Sequence, residues 1–380
     1  MLSGSTKRNL TQRASVHLDM ARGLAALAVL TSHVRGLYFV PYHDLSRHSI
    51  PLDMFYGATT LGHQAVMVFF VLSGFLIVGS IVSSFEGGRW SWRKYLVNRI
   101  VRLSLVLIPA LILCWVVDHI GMALSSTAAL YHRPVENLFT TSVARLETAP
   151  NFFGSLLYVQ SILVRPFGSD GPLWSLSYEF WYYILFPVAL CALASKSRAR
   201  VRILYCAAAL VILFFVGRAI ALYFLIWLLG GIVAVSLRRC EPRTRLSWAS
   251  AMGMVPLLFG LGFSISRPLN SPFFTDAIVA LGFAAWVYMI VGASERHISP
   301  VYARTARLLA GFSYTLYLTH FPIVFFIRAR MHGAIWQPTF IHLVYAALIC
   351  AIAVGAAYLF SQFTEAKTEL VRHRVMGLLQ

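Results

Sequence analysis

Residues 61–84 read LGHQAVMVFFVLSGFLIVGSIVSS and contain no Asp, Glu, Lys or Arg. As a helix rising about 1.5 Å per residue, this stretch exceeds the roughly 30 Å of a bilayer's hydrocarbon layer. Comparable, mostly apolar runs recur near 18–40, 98–117, 174–194, 201–217, 219–238, 248–265, 274–293, 306–329 and 340–363. Together they predict an all-α, polytopic transmembrane bundle of about ten helices. The fifth and sixth runs meet around Gly217 and Arg218. The apolar segment 150–164 is too short to cross and reads as an interfacial or re-entrant piece.

Composition leads the same way. The 380 residues are 58% hydrophobic and 12% charged, with a mean hydropathy of +0.71. A soluble domain carries about a quarter charged residues, because it must cover its surface against water. The net charge of +18 is broken into short basic clusters between apolar runs and forms no single stripe, which argues against a nucleic acid partner. Of the five cysteines, Cys114, Cys191, Cys206 and Cys350 lie inside apolar runs, Cys240 does not, and no C-x-x-C pair occurs. Neither a disulfide framework nor a metal site is implied.

Orientation follows from Lys and Arg. With the N-terminus inside, the inner segments hold Lys7, Arg8 and Arg13, five basic residues from Arg89 to Arg102, and Lys196, Arg198, Arg200 and Arg202. They also hold Arg238, Arg239, Arg243 and Arg245, then Arg296, Arg304 and Arg307, then Lys367, Arg372 and Arg374. The outer segments hold far fewer, which predicts N-in, C-in with an even number of spans and basic contact with the inner leaflet. The expected layout is a cytoplasmic tail at 1–16, a transmembrane domain at 17–365 and a second cytoplasmic tail at 366–380. The outer segment 118–173 is long enough to order itself over the outer face.

Ionisable groups inside a bilayer are costly, so each needs a partner or a function. Arg22 and His33 are eleven residues apart, which puts them on one helix face about 16 Å from each other. Glu179 falls about 8 Å inside the outer end of its span, with Trp174 at the interface. His320 falls in the outer half of its own span. His33, Glu179 and His320 therefore reach similar depths on three helices. Arg99 and Arg102 lie one turn apart at the inner edge and suit phosphate groups, or serve simply as positive-inside anchors. Ser73 and Gly74 permit close helix packing, and no neighbouring base marks Ser73 as a nucleophile. His33 read alone is equally well a core histidine bonded to a neighbouring helix.

In order, LDMARGLAALAVLTSH (18–33), GHQAVMVFFVLSGFLI (62–77), RKYLVNRIVRL (93–103), LWSLSYEFWYY (173–183) and SYTLYLTHFP (313–322) resemble the five signature segments of the acyltransferase-3 family. The first includes Asp19 and an Arg followed by ten residues and a His. Two departures stand out. Phe180 occupies a position that is often acidic in the family, and the first proline after the R-x-x-R segment is Pro109. The resemblance implies an integral O-acyltransferase of the bacterial inner membrane. Such an enzyme would move an acyl group, usually acetyl, from cytoplasmic acyl-CoA to a hydroxyl of a cell-envelope or exported carbohydrate or glycolipid. It implies no permanently bound cofactor; acetyl-CoA is a substrate. On this reading Arg99, Arg102 and Arg22 bind the donor's phosphates, and His33 acts as base or acyl carrier. Glu179 orients or stabilises His33, and Asp19, Ser73, Trp174 and His320 are further candidates. The intramembrane His and Glu residues also fit a proton-coupled transporter or exporter, although no matching pair of interrupted spans marks inverted repeats. A non-catalytic scaffold would tolerate replacement of both.

Overall fold

The computed structural model describes residues 12–135, 140–194, 198–239, 258, 262, 272–292, 298–331 and 335–378. These residues are overwhelmingly helical, and β pairing among them is limited to the isolated bridges Phe39–Trp336 and Gln160–Val164. The longer helices are α1 (Gln12–Tyr38), α3 (Gly62–Glu86), α4 (Trp92–Ala123), α8 (Trp174–Ala194) and α9 (Ala199–Arg239). They continue with α10 (Pro272–Gly292), α11 (Pro300–Arg330) and α12 (Phe340–Phe363). Shorter pieces are α2 (Ile50–Thr59), α5 (Ser125–Tyr131), α6 (Val143–Leu146), α7 (Ala149–Leu156) and α13 (Thr368–Leu378). Local chemistry sets several helix starts: Ser91 accepts from the Lys94 amide at α4, and Thr339 accepts from the His342 amide at α12.

Among the described residues, seven helices are long and apolar enough to cross a membrane by length and composition. Three differences separate this count from ten. The first run forms α1, but Asp19, Arg22, His33 and Arg35 dilute its apolar character. The fifth and sixth runs form one continuous helical stretch, α9, interrupted at Gly217 (φ 78°, ψ 173°). That positive φ is open to glycine and costly for other residues. Forty-one residues would extend about 60 Å if straight, twice the hydrocarbon thickness. The run at 248–265 lies outside the described residues, Leu258 and Gly262 apart.

Two spans show how burial and composition are matched in a chain solvated by lipid. The most apolar window of Pro300–Arg330, which carries His320, is 72% buried, whereas that of Ala199–Arg238 is 17% buried. A lipid-facing helix must be apolar all round, while a polar side chain in a span needs protein around it. This makes the chain a multi-pass membrane protein.

The chain divides into two compact units. The first comprises Met1–Ala25, Met67–Arg89 and Leu222–Ala310. Within it, α3 and the second half of α9 are in backbone contact: a Cβ at Gly74 would run into the Trp227 carbonyl oxygen, and one at Gly230 into that of Val71. Small residues thus let the two helices close. Trp227 Nε1 donates to Ser73 Oγ at 3.1 Å, and Arg238 pairs with Glu86 at 2.7 Å.

The second unit comprises Ala26–Val66, Trp90–Ala221 and Gly311–Gln380. The segment between α4 and α8 orders itself through α5, α6 and α7. The piece predicted near 150–164 is the short α7 followed by a turn, with Tyr158 and Ser161 at φ of 59° and 66°. Thr148 caps α7 by accepting from the Asn151 amide. In the region expected to be a C-terminal tail, α13 packs on α4, and its less exposed positions, Thr368, Val371, Arg372, Val375 and Met376, recur at helical spacing.

Candidate active site

His33 and His320 meet in the second unit. His33 Nδ1 lies 2.8 Å from His320 Nε2, and the rings stack with centroids 5.1 Å apart and planes 12° from parallel. Phe321 presents its edge to His33 at 5.0 Å. His320 is 1% exposed, and its Nδ1 lies 2.9 Å from the Leu316 carbonyl oxygen. A carbonyl oxygen only accepts, so His320 Nδ1 carries its proton. In the neutral ring Nε2 is then an acceptor, and His33 must donate to it from Nδ1. The remaining nitrogen, His33 Nε2, keeps its lone pair and meets no hydrogen-bond partner among the described residues. The polarity of the pair is therefore set by one backbone carbonyl on α11. Pro322, two residues on, removes a backbone donor from the same helix.

Glu179 lies elsewhere in the second unit. It accepts a short hydrogen bond from the Tyr183 hydroxyl, one turn along α8. Tyr158, Tyr183, Tyr314 and Tyr317 all lie within electrostatic reach of Glu179, and Arg102 within reach of Tyr183 and Tyr314. Arg99 sits over the rings of Tyr95 and Tyr183, at 6.0 and 5.9 Å, and Tyr95 donates to the Tyr183 carbonyl at 2.8 Å. The Arg99 Nε is buried without a hydrogen-bond partner among the described residues. Glu179 is thus associated with the arginine end of the unit through tyrosines, and its side-chain hydrogen bond goes to Tyr183, not to His33.

Tyr317 connects the two groups. Its ring centroid is 6.2 Å from that of His320, one turn along α11. Its hydroxyl donates to the Pro172 carbonyl at 2.9 Å and lies 2.7 Å from Ser175 Oγ. Sequence reasoning passed over Tyr317 and Tyr183. The available signal was spacing: three residues before His320, and four after Glu179, each on the same face of its helix.

The turn leading into α8 is held by further buried groups. Asp118 accepts from the Ser169 amide at 2.7 Å and from Ser169 Oγ at 2.8 Å. Gln160 Nε2 donates to the Leu173 carbonyl at 2.9 Å. Asp170 is wholly buried, with neither carboxyl oxygen hydrogen-bonded among the described residues. Burial, reinforced by the Asp118 charge, holds its pKa well above the ordinary 3.8 and so favours the protonated form. Phe180, the position that departs from the family pattern, stacks on Tyr158 at 4.2 Å.

The other predicted residues have different surroundings. Arg22, in the first unit, donates to the Ala310 carbonyl at 2.9 Å and lies 4.0 Å from Asp19. Ser73 accepts from Trp227. Trp174 stacks with His63 and meets the edge of Tyr178. Among the described residues no group of three His, Cys, Asp or Glu side chains is placed to hold a metal ion.

The family described as an acyltransferase domain matches residues 16–362. An O-acetyl transferase of Shigella phage Sf6 is 30% identical over 175 residues, covering 46% of each chain. A protein of Haemophilus influenzae (strain ATCC 51907 / DSM 11121 / KW20 / Rd), named only as uncharacterized, is 28% identical over 138 residues, covering 36% of this chain and 53% of its own. The chain thus spans about half the length of these curated relatives. No solved structure matches it. With the family match extending over nearly the whole sequence, the chain belongs to the acyltransferase-3 family.

Proposed function

We propose that this protein transfers an acetyl group from cytoplasmic acetyl-CoA to a hydroxyl of a cell-envelope or exported carbohydrate, within the bacterial inner membrane. The observation that carries the reading is the polarised His33–His320 pair. A neutral imidazole whose Nδ1 proton is engaged presents Nε2 as a general base for an acceptor hydroxyl, and His320 steadies the charge that develops on His33. The bond formed joins the acceptor oxygen to the acetyl carbonyl carbon. The bond broken is the thioester C–S bond, with coenzyme A leaving as its thiol and the hydroxyl proton passing through His33. Arg99 and Arg102 supply cationic charge for the donor's phosphates. The similarity to a phage O-acetyl transferase supports acetyl as the group moved.

Ten spans with both termini inside agree with the helix directions. In the first unit the pairs His17–Tyr302 and Arg22–Ala310 advance together along α1 and α11. In the second unit His33–His320 and Tyr38–Val324 do the same. These helices are parallel, as the first and ninth spans of ten must be. By the same reasoning, Ser73–Trp227 and Glu86–Arg238 make α3 parallel to the second half of α9, as the second and sixth spans must be.

The test uses purified protein in nanodiscs with radiolabelled acetyl-CoA and envelope glycans from a strain deleted for this gene. Wild type should label the glycan and His33→Ala should not, although it inserts normally. Labelling retained by a correctly inserted His33→Ala would reject the reading.

A further inference from the structure

We propose that His63, Trp174 and Tyr178 form the acceptor subsite, an aromatic platform against which a pyranose ring stacks beside the histidine pair. This rests on the acetyl-transfer reading and names the part of the site that holds the sugar.

Four observations carry it, all within the second unit. His63 is exposed, and its imidazole lies on the Trp174 indole with centroids 5.4 Å apart and planes 21° from parallel. Tyr178 stands edge-on to Trp174 at 5.0 Å and 83°, buttressing it from the protein side. The other two observations tie this stack to the two histidines separately. A Cβ at Gly62 would run into the Ser32 side chain, so the residue preceding His63 is in contact with the residue preceding His33. On the other side, the Tyr317 hydroxyl bonds both Pro172 and Ser175, the positions bracketing Leu173 and Trp174, and the Tyr317 ring lies 6.2 Å from His320. The platform is therefore anchored at one end to the base and at the other to its partner.

Flat aromatic faces carry negative quadrupole density, which suits the weakly positive C–H bonds along one face of a sugar ring. The ring's hydroxyls project from its rim, so a pyranose lying on the platform presents a hydroxyl sideways toward the histidines. A bulky aliphatic lining would provide the apolar area without that orientation. Aromatic residues also serve as interfacial anchors in membrane proteins, and such a role predicts no dependence of sugar binding on His63.

Saturation-transfer difference NMR on the full chain in nanodiscs, with a panel of methyl hexopyranosides, reads binding apart from chemistry. Wild type should saturate the C–H protons of one ring face of at least one glycoside. His63→Ala should reduce that saturation at least fivefold, and His63→Phe, which keeps a flat ring, should restore it. In transfer assays His63→Ala should raise the acceptor KM about tenfold while the acetyl-CoA KM stays within twofold. No saturation in wild type, or equal saturation in His63→Ala, overturns the platform. Saturation without any acetyl transfer would keep the platform and reject the transferase reading. Transfer with an unchanged acceptor KM in His63→Ala would do the reverse.

Discussion

The Nδ1 proton of His33 is committed to His320 Nε2, because His320 gives its own Nδ1 proton to the Leu316 carbonyl. A backbone group on α11 thereby selects the tautomer of a side chain on α1. His33→Ala should lose about 10²–10⁴ in transfer rate, the usual contribution of a positioned general base. His320→Ala should cost at least about tenfold, since His33 is then free to populate the wrong tautomer. His320→Gln should keep more activity, because its amide oxygen can accept the same proton. Initial rates of acetyl-CoA consumption measure this, and equal rates for wild type and His320→Ala would remove His320 from the mechanism.

Arg99 keeps a buried Nε without a partner among the described residues while its guanidinium sits over Tyr95 and Tyr183. A charge-assisted hydrogen bond contributes about 1.5–3 kcal/mol, so Arg99→Ala should raise the acetyl-CoA KM roughly ten- to a hundredfold. Arg102→Ala should act in the same direction. Arg99→Lys should recover only part of the loss, because an ammonium lacks the planar fork. Donor titration at saturating acceptor separates these from effects on kcat; an unchanged donor KM in Arg99→Ala excludes the phosphate role.

Gly74 and Gly230 lie where α3 and α9 touch backbone to backbone. Alanine at either position meets a carbonyl oxygen, Trp227 or Val71, which cannot move without shifting a helix. Each substitution should destabilise the fold by about 1–3 kcal/mol and lower the yield of monodisperse protein in size-exclusion chromatography. Ser73→Ala removes the oxygen that accepts from Trp227 Nε1, a change of about 1 kcal/mol. It should retain acetyl transfer, and loss of transfer in well-folded Ser73→Ala would give the hydroxyl a chemical role.

Asp170 supplies a pH signature. A carboxyl whose folded pKa is raised stabilises the fold most when pH lies below the unfolded value. That stability is lost as pH climbs from 3.8 toward the folded pKa, because the folded state then holds a proton the unfolded state has released. Wild-type melting temperature should therefore fall over the range above pH 4. Asp170→Asn, neutral at every pH, should remove that part of the fall. Parallel pH profiles for the two proteins would mean that Asp170 is ionised in the fold.

Some of the site was legible before any coordinates. His33 and His320 could be named because an imidazole inside an apolar run is costly and must be explained, and their depths could be estimated from helix rise. Their contact could not be foreseen, since depth fixes one coordinate and the neighbouring helix fixes the others. Glu179 illustrates the gap. Helix rise predicts for it a depth like that of His33, and its side chain bonds Tyr183. The sequence places Trp174 at the interface and among the further site candidates, and its stack with His63 joins segments more than a hundred residues apart. The α9 break was visible only as an ambiguity around Gly217 and Arg218.

The amino-acid sequence alone determined that this chain is helical and embedded in lipid, because apolar runs of spanning length with so few charges have no stable alternative in water. Its motifs determined the family. The tertiary structure decided which buried groups meet: His33 with His320, Glu179 with Tyr183, Asp118 with Ser169. Periodicity orients a side chain around its own helix axis, whereas partnership depends on how helices pack, and that is set by contacts between residues distant in the chain.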